Sequence, residues 1–158
     1  MTAQQRPRRF LRRILPFAVF VLVLYASVIG WFAWKEDSYV YFPRKGLRNA
    51  DSLNIGIETV RLRTSDGVDL VCWIIPAVDS SAVWVLYFHG NGGNISSRGY
   101  VEHYKALSRL GLNIFALEYR GYGLSQGTPS EEGLYRDAHT AFDYLVQQRN
   151  VSPSHIVL

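Results

Sequence analysis

Apolar and polar positions divide the chain into two regimes. From Ile14 to Trp34 there are 21 residues without a charged side chain. As a helix this run spans ~31 Å, the thickness of a bilayer core. It predicts a membrane span, with Pro16 in the first turn, where a missing N–H costs little, and Trp31 and Trp34 near the far end, where interfacial aromatics are favoured. Beyond it the apolar residues fall into short runs. Glu58 to Thr64 alternates, Ser65-Asp66-Gly67 is a turn signal, and Asp69 to Ile75 resumes a strand pattern up to Pro76, which predicts an antiparallel hairpin. Val83 to Phe88 is more continuously apolar, as in a strand covered on both faces.

Helical spacing follows, with Val101, Tyr104, Leu107 and Leu110 recurring until Gly111 supplies a stop. Asn113 to Glu118 reads as another strand. Ser130 with Glu131 and Glu132 marks a second helix start, since an N-cap oxygen and first-turn carboxylates answer the free amides and the dipole. Leu134, Ala138, Ala141, Phe142 and Leu145 form its buried face. After a loop from Asn150 to Ser154, His155 to Leu158 begins a last strand. Strands alternating with helices after an opening hairpin predict an α/β fold with a mostly parallel sheet.

Two loops interrupt this alternation with glycine. The first, His89-Gly90-Asn91-Gly92-Gly93-Asn94, joins a buried strand to a helix; its glycines allow backbone N–H groups to converge, and the helix N-terminus adds partial positive charge, so it suits a negative group. The same residues would also serve a tight turn without chemistry. The second loop runs from Tyr119 to Gly127.

The formal charge is +4, but Arg6, Arg8, Arg9, Arg12 and Arg13 precede the apolar run, and without them 12 basic side chains face 13 acidic ones. The basic balance belongs to this tail, which sets nucleic-acid binding aside. The arginines, against Lys35-Glu36-Asp37 after the run, predict a cytoplasmic N-terminus and a body on the extracytoplasmic side. The run is long for a cleaved signal peptide and no small-x-small site stands out near its end, which favours an uncleaved signal-anchor. The expected organisation is a basic tail over 1–13, an anchor helix over 14–34, a juxtamembrane connector over 35–56 that packs on the body, and an α/β domain over 57–158. Cys72 is the sole cysteine and no His pair has ligand spacing among His89, His103, His139 and His155, so no metal or other cofactor is implied.

Taken together, Leu62 to Gly67, Tyr87 to Ser96, Glu118 to Glu131 and Gly133 to Ala138 resemble the α/β-hydrolase fold, and within it the membrane-anchored Bem46-like group, also called α/β-hydrolase-domain 13-like proteins. The resemblance covers about residues 38–158 and implies the N-terminal half of such a fold, from a hydrolase of esters, thioesters or amides. In these enzymes a serine at a strand-to-helix elbow attacks a carbonyl, with a histidine and an acid following in the chain. By this resemblance the backbone amide of Asn91 or Gly92 is the oxyanion donor contributed by the loop after the third strand, and His89, Gly90 and Gly93 support that loop. The substrate would be a carbonyl-containing small molecule or lipid-like compound, and the adjoining partner the lipid bilayer.

Gly123-Leu124-Ser125-Gln126-Gly127 matches the Gly-x-Ser-x-Gly pattern. Its context argues against it, because four loop residues separate Glu118-Tyr119 from Leu124, and Thr128-Pro129 intervene before the helix. Ser125 is therefore read as a loop residue, and the nucleophile is expected after the fifth strand, at His155 to Leu158. No catalytic residue of the triad is assigned in this chain. Asp137 and Asp143 are expected on a solvated helix face or in an edge hydrogen bond, and His103 and His139 on helix surfaces. Two other readings stand beside the hydrolase: a membrane-tethered binding module without chemistry, and one half of a split enzyme with a complementing C-terminal half. Asn94-Ile95-Ser96 and Asn150-Val151-Ser152 are glycosylation-type triplets of low weight.

Overall fold

The computed structural model describes residues 6–79 and 82–158, with side chains in the first helix from Ile14 onward. Residues 1–5 of the expected basic tail lie outside the described residues. The chain divides into two compact units, Met1–Tyr39 and Val40–Leu158.

The described residues of the first unit form a single helix, α1 (Arg6–Val40), whose last residue falls in the second unit. Its apolar stretch from Ile14 to Val40 is long and apolar enough to cross a membrane, and none of it is buried against protein. The helix runs six residues beyond the expected end at Trp34. Lys35 to Val40 contains no glycine or proline, and the Ser38 hydroxyl bonds back to the Lys35 carbonyl at 2.6 Å, so nothing local stops the helix until Pro43 approaches.

The second unit is built on a five-stranded sheet. Its strands are β2 (Glu58–Arg63), β3 (Asp69–Ile75), β4 (Trp84–Phe88), β6 (Asn113–Leu117) and β7 (Ile156–Val157), in the spatial order β2-β3-β6-β4-β7. The hairpin β2–β3 and the pair β3–β6 are antiparallel; β6–β4 and β4–β7 are parallel. This is the expected mixed sheet, with strand ends within a residue or so of the sequence pattern. Helices α2 (Arg98–Arg109) and α3 (Glu131–Asp143) provide the crossovers, and α3 continues as one π-helical turn, Tyr144–Gln148.

The sheet period explains the continuous apolar runs. Leu70, Cys72 and Ile74 of β3 and Phe115 and Leu117 of β6 pack in one cluster with Ala141 and Leu145. Trp73 and Ile75, with Ile114 and Ala116, pack in the other with Val101 and Tyr104. Both faces of the central strands are thus covered, so alternate positions are all apolar. In β2 only Val60 and Leu62 are buried, as fits an edge strand with one solvated face.

Two short strands were not foreseen. Within the connector, β1 (Phe42–Pro43) pairs in parallel with β5 (Gly92–Gly93) inside the first glycine loop. A further bridge joins Lys45 to Gly123 in the second loop. The connector thus lies across both glycine loops.

Candidate functional site

Built from its backbone upward, the loop 89–94 is a set of peptide units whose orientations are each held by a bond. The Gly90 carbonyl lies 2.8 Å from His89 Nδ1. The Asn91 carbonyl accepts from the Phe42 amide at 2.9 Å and from the Tyr122 hydroxyl at 2.8 Å. The Gly92 carbonyl accepts from the Tyr100 hydroxyl, and the Gly93 carbonyl from the Arg44 amide. A peptide unit is planar and trans, so a fixed carbonyl fixes the following N–H in the opposite direction. His89 therefore orients the Asn91 amide, while Phe42 and Tyr122 orient the Gly92 amide. Among the described residues the Asn91 N–H makes none of these bonds.

Side chains close the loop from beneath. Asn94 is buried and its amide donates to the Arg44 and Gly46 carbonyls at 3.1 and 2.7 Å, which ties loop to connector. This burial also removes Asn94 from any role as a glycan acceptor. Gly93 has φ +87°, and a Cβ there would stand 2.5 Å from Ser97 Oγ, so glycine is required twice over.

His89 is buried among the rings of Tyr100, Tyr119 and Tyr122. Its Nε2 lies 2.9 Å from Glu118 Oε1, close enough for charge pairing although out of line for a good hydrogen bond. Because Nδ1 faces a carbonyl it carries a proton, so the contact at Nε2 needs a second one, on the imidazole or on Glu118. Burial raises the Glu118 carboxyl above its ordinary range while His89 pulls it back. Glu118 also receives the Ile95 amide at 3.2 Å, and a Cβ on Gly123 would collide with its carboxylate. Sequence reading missed Glu118 as a site residue; an acid ending an otherwise apolar strand is the signal that could have found it.

Ser125 sits in the second loop and is buried. Its hydroxyl accepts from the Val71 amide at 2.9 Å and donates to the Glu118 carbonyl at 3.1 Å. Loop backbone surrounds it on both sides: the Ser125 amide bonds the Tyr122 carbonyl, and the Gln126 amide bonds the Asp69 carbonyl. Cys72 is also buried, and burial pushes its thiol up to about 12, far from a reactive thiolate.

Asp137 corrects an expectation. It does not lie on a solvated face; it is fully buried and accepts the Arg120 amide at 2.8 Å, with Nε and Nη2 of the same residue at 3.0 and 2.8 Å. Arg120 in turn reaches Asp66 through Nη1 and Nη2 at 2.8 and 3.1 Å, and these guanidinium bonds hold the Asp66 carboxyl well below the usual carboxylate range. The partner of Asp137 lies 17 residues away in a loop, which helical spacing does not relate to it. Asp143, His103 and His139 are exposed, as expected.

The network predicts the sign of one substitution. A Cβ at Gly133 would stand 2.5 Å from Arg120 Cδ, and that side chain is pinned by two carboxylates. Alanine normally gains about 0.5–1 kcal/mol over glycine in a helix, but overpacking costs about 1–3 kcal/mol. Gly133→Ala is therefore expected to lower the urea midpoint of unfolding; a raised midpoint would show that Arg120 can yield.

No protein-family model matches the chain. It is 37% identical over 138 residues to the protein bem46 of Schizosaccharomyces pombe, covering 82% of this chain and 46% of that protein. It is 38% identical over 108 residues to the alpha/beta hydrolase domain-containing protein WAV2 of Arabidopsis thaliana, covering 67% of this chain and 34% of that one. An uncharacterized protein of Mycobacterium tuberculosis matches at 37% over 147 residues, 91% of this chain and 51% of its own length. The chain spans about half the length of the curated relatives it matches. Among solved structures, an alpha-beta hydrolase from Vibrio vulnificus superposes with a TM-score of 0.57 at 33% identity, over 65% of this chain and 34% of that one. A Pyrococcus furiosus esterase, at 22% identity and TM-score 0.58, covers 74% of this chain and 44% of its own and shares the fold.

Proposed function

We propose, starting from a chain that belongs to the α/β-hydrolase superfamily and is similar to Bem46 within it, that these residues are the N-terminal part of a membrane-anchored serine hydrolase. The reaction is acyl transfer to water from an ester, thioester or amide. The backbone amide of Asn91 or Gly92 meets the developing oxyanion, while His89, Gly90 and Gly93 shape the loop. The observation that carries this reading is the clamp on the Asn91 carbonyl by Phe42 and Tyr122, which presets the direction of the Gly92 amide. Preorganised donors of this kind act without reorganising during reaction, which is the source of their effect.

The nucleophile belongs at an elbow after β7, in residues following Leu158. Ser125 is a structural serine: both its hydrogen bonds are spent on backbone, and its strand-to-helix context is wrong. Residues 14–34 are the core of the anchor, the N-terminus is cytoplasmic, and the domain from residue 57 onward stands on the opposite side with the connector between. The length and apolarity of α1 and the asymmetry of flanking charge support that arrangement.

Assay of the purified chain against a short-chain activated ester tests the assignment of roles. No turnover is expected from the 158 residues, and Ser125→Ala should act on stability alone, at about 1–3 kcal/mol for two buried backbone groups left without a partner. Turnover that disappears in Ser125→Ala would make Ser125 the nucleophile and overturn the proposal.

A further inference from the structure

The unit from Val40 to Leu158 is electrically neutral but polarised. Residues 40–158 carry 11 basic and 11 acidic side chains. Six of the bases, Arg44, Lys45, Arg48, Arg98, Lys105 and Arg109, line two grooves that share Arg48 and Arg98, and Glu102 is the sole acid lining either. The larger groove, about 790 Å³, lies between the connector and α2; the smaller, about 390 Å³, runs beside residues 44–48. The larger groove is also lined by Leu53 and Val101, both buried, so the surface it presents is chiefly that of its charged and polar side chains.

Ion pairing within the protein leaves most of this charge unanswered. Glu102 is taken by Lys105 at 3.0 Å, which, with Arg98 and Arg109 nearby, holds the Glu102 carboxyl below its ordinary value. Among the described residues Arg44, Lys45, Arg48, Arg98 and Arg109 make no ion pair, whereas Arg63, Arg120, Arg136 and Arg149 each do. Guanidinium groups spaced around an open groove match phosphate geometry, because each can present two donors to one phosphate. An overall charge count cannot reveal such segregation, which is why composition alone did not single out these grooves.

We infer that these grooves bind the phosphate headgroup of an anionic phospholipid. This rests on the membrane-anchor reading. The choice of a lipid over another polyanion follows from the chain: Arg44 is four residues beyond Val40, the last helical residue, a reach of about 14 Å at most. An anchored protein meets headgroups at a local concentration that free phosphate or nucleic acid does not match.

Arginine footprinting tests this in the intact chain. The full 158-residue protein is placed in phosphatidylcholine nanodiscs and in nanodiscs doped with phosphatidylglycerol, treated with phenylglyoxal, and read by peptide mass spectrometry. Modification of Arg48, Arg98 and Arg109 should fall by about fivefold in the anionic bilayer, with exposed Arg61 unchanged. Arg48→Glu combined with Arg98→Glu should abolish the protection at Arg109; if that variant does not fold, the wild-type comparison still decides. Equal modification in both bilayers overturns the inference. Protection in phosphatidylcholine nanodiscs by inorganic phosphate or by an oligonucleotide at matched phosphorus concentration also overturns it, by assigning the grooves to that ligand. A chain that does not enter nanodiscs at all refutes the anchor instead, a failure separable from loss of groove protection alone.

Discussion

Asp137→Ala is expected to lower the free energy of unfolding by about 3–5 kcal/mol, the usual cost of removing one partner from a buried ion pair. The side chain of Asp137 is fully buried and that of Arg120 is 7% exposed. Truncation would leave the Arg120 amide and Nε without an acceptor and Nη2 with one partner in place of two, with Asp66 alone to balance the charge. Urea titration of the detergent-solubilised chain, followed by tryptophan fluorescence, measures the change. A loss below about 1 kcal/mol, the range of an exposed pair, would mean that water reaches the network. A double substitution sharpens the test: Arg120→Met with Asp137→Leu should cost less than Asp137→Leu alone, because an apolar pair strands no charge.

Gly92→Pro is expected to lower kcat about 10²–10³-fold in a chain continued through the nucleophile elbow, with KM little changed. That is the scale of losing one oxyanion donor, an interaction made in the transition state and not in the ground state. Proline removes the N–H that the Asn91 carbonyl clamp orients. Gly92→Ala is the control: a Cβ at this position meets no atom within 4 Å, and glycine 92 is not in the left-handed region, so near wild-type turnover should remain. Equal rates for the proline and wild-type proteins would remove Gly92 from the oxyanion hole and leave Asn91 as the donor to test. The same experiment separates loop damage from donor loss, since the alanine variant keeps the amide.

The strands and helices were legible in sequence because their patterns are local. Alternating burial in β2, the continuously apolar run of β3 and helical spacing in α2 and α3 follow from backbone geometry, and Ser130 does cap α3 by accepting the Gly133 amide at 3.2 Å. The continuation of α1 to Val40 was missed because helix propensity through Lys35 to Ser38 is permissive while the expected boundary followed the charge. Strand β1 was missed for a different reason. Two residues carry no periodicity, and its partner is a glycine pair about fifty residues away.

Candidate site residues divide along the same line. The glycine loop announced itself through composition, and the literal Gly-x-Ser-x-Gly around Ser125 could be weighed by its distance from strand and helix. Glu118 and Asp137 could not be assigned, since what gives them meaning is burial beside His89 and Arg120.

By itself, the sequence determined the apolar helix, the order and type of the elements, the two glycine loops and the α/β-hydrolase resemblance, because each depends on residues close together in the chain. Tertiary structure alone decided that the connector crosses both loops, that Asp66, Arg120 and Asp137 form one network, and that a neutral body gathers its positive charge into two grooves. These depend on contacts between distant segments, and a sum or a period along the chain does not encode which distant segments meet.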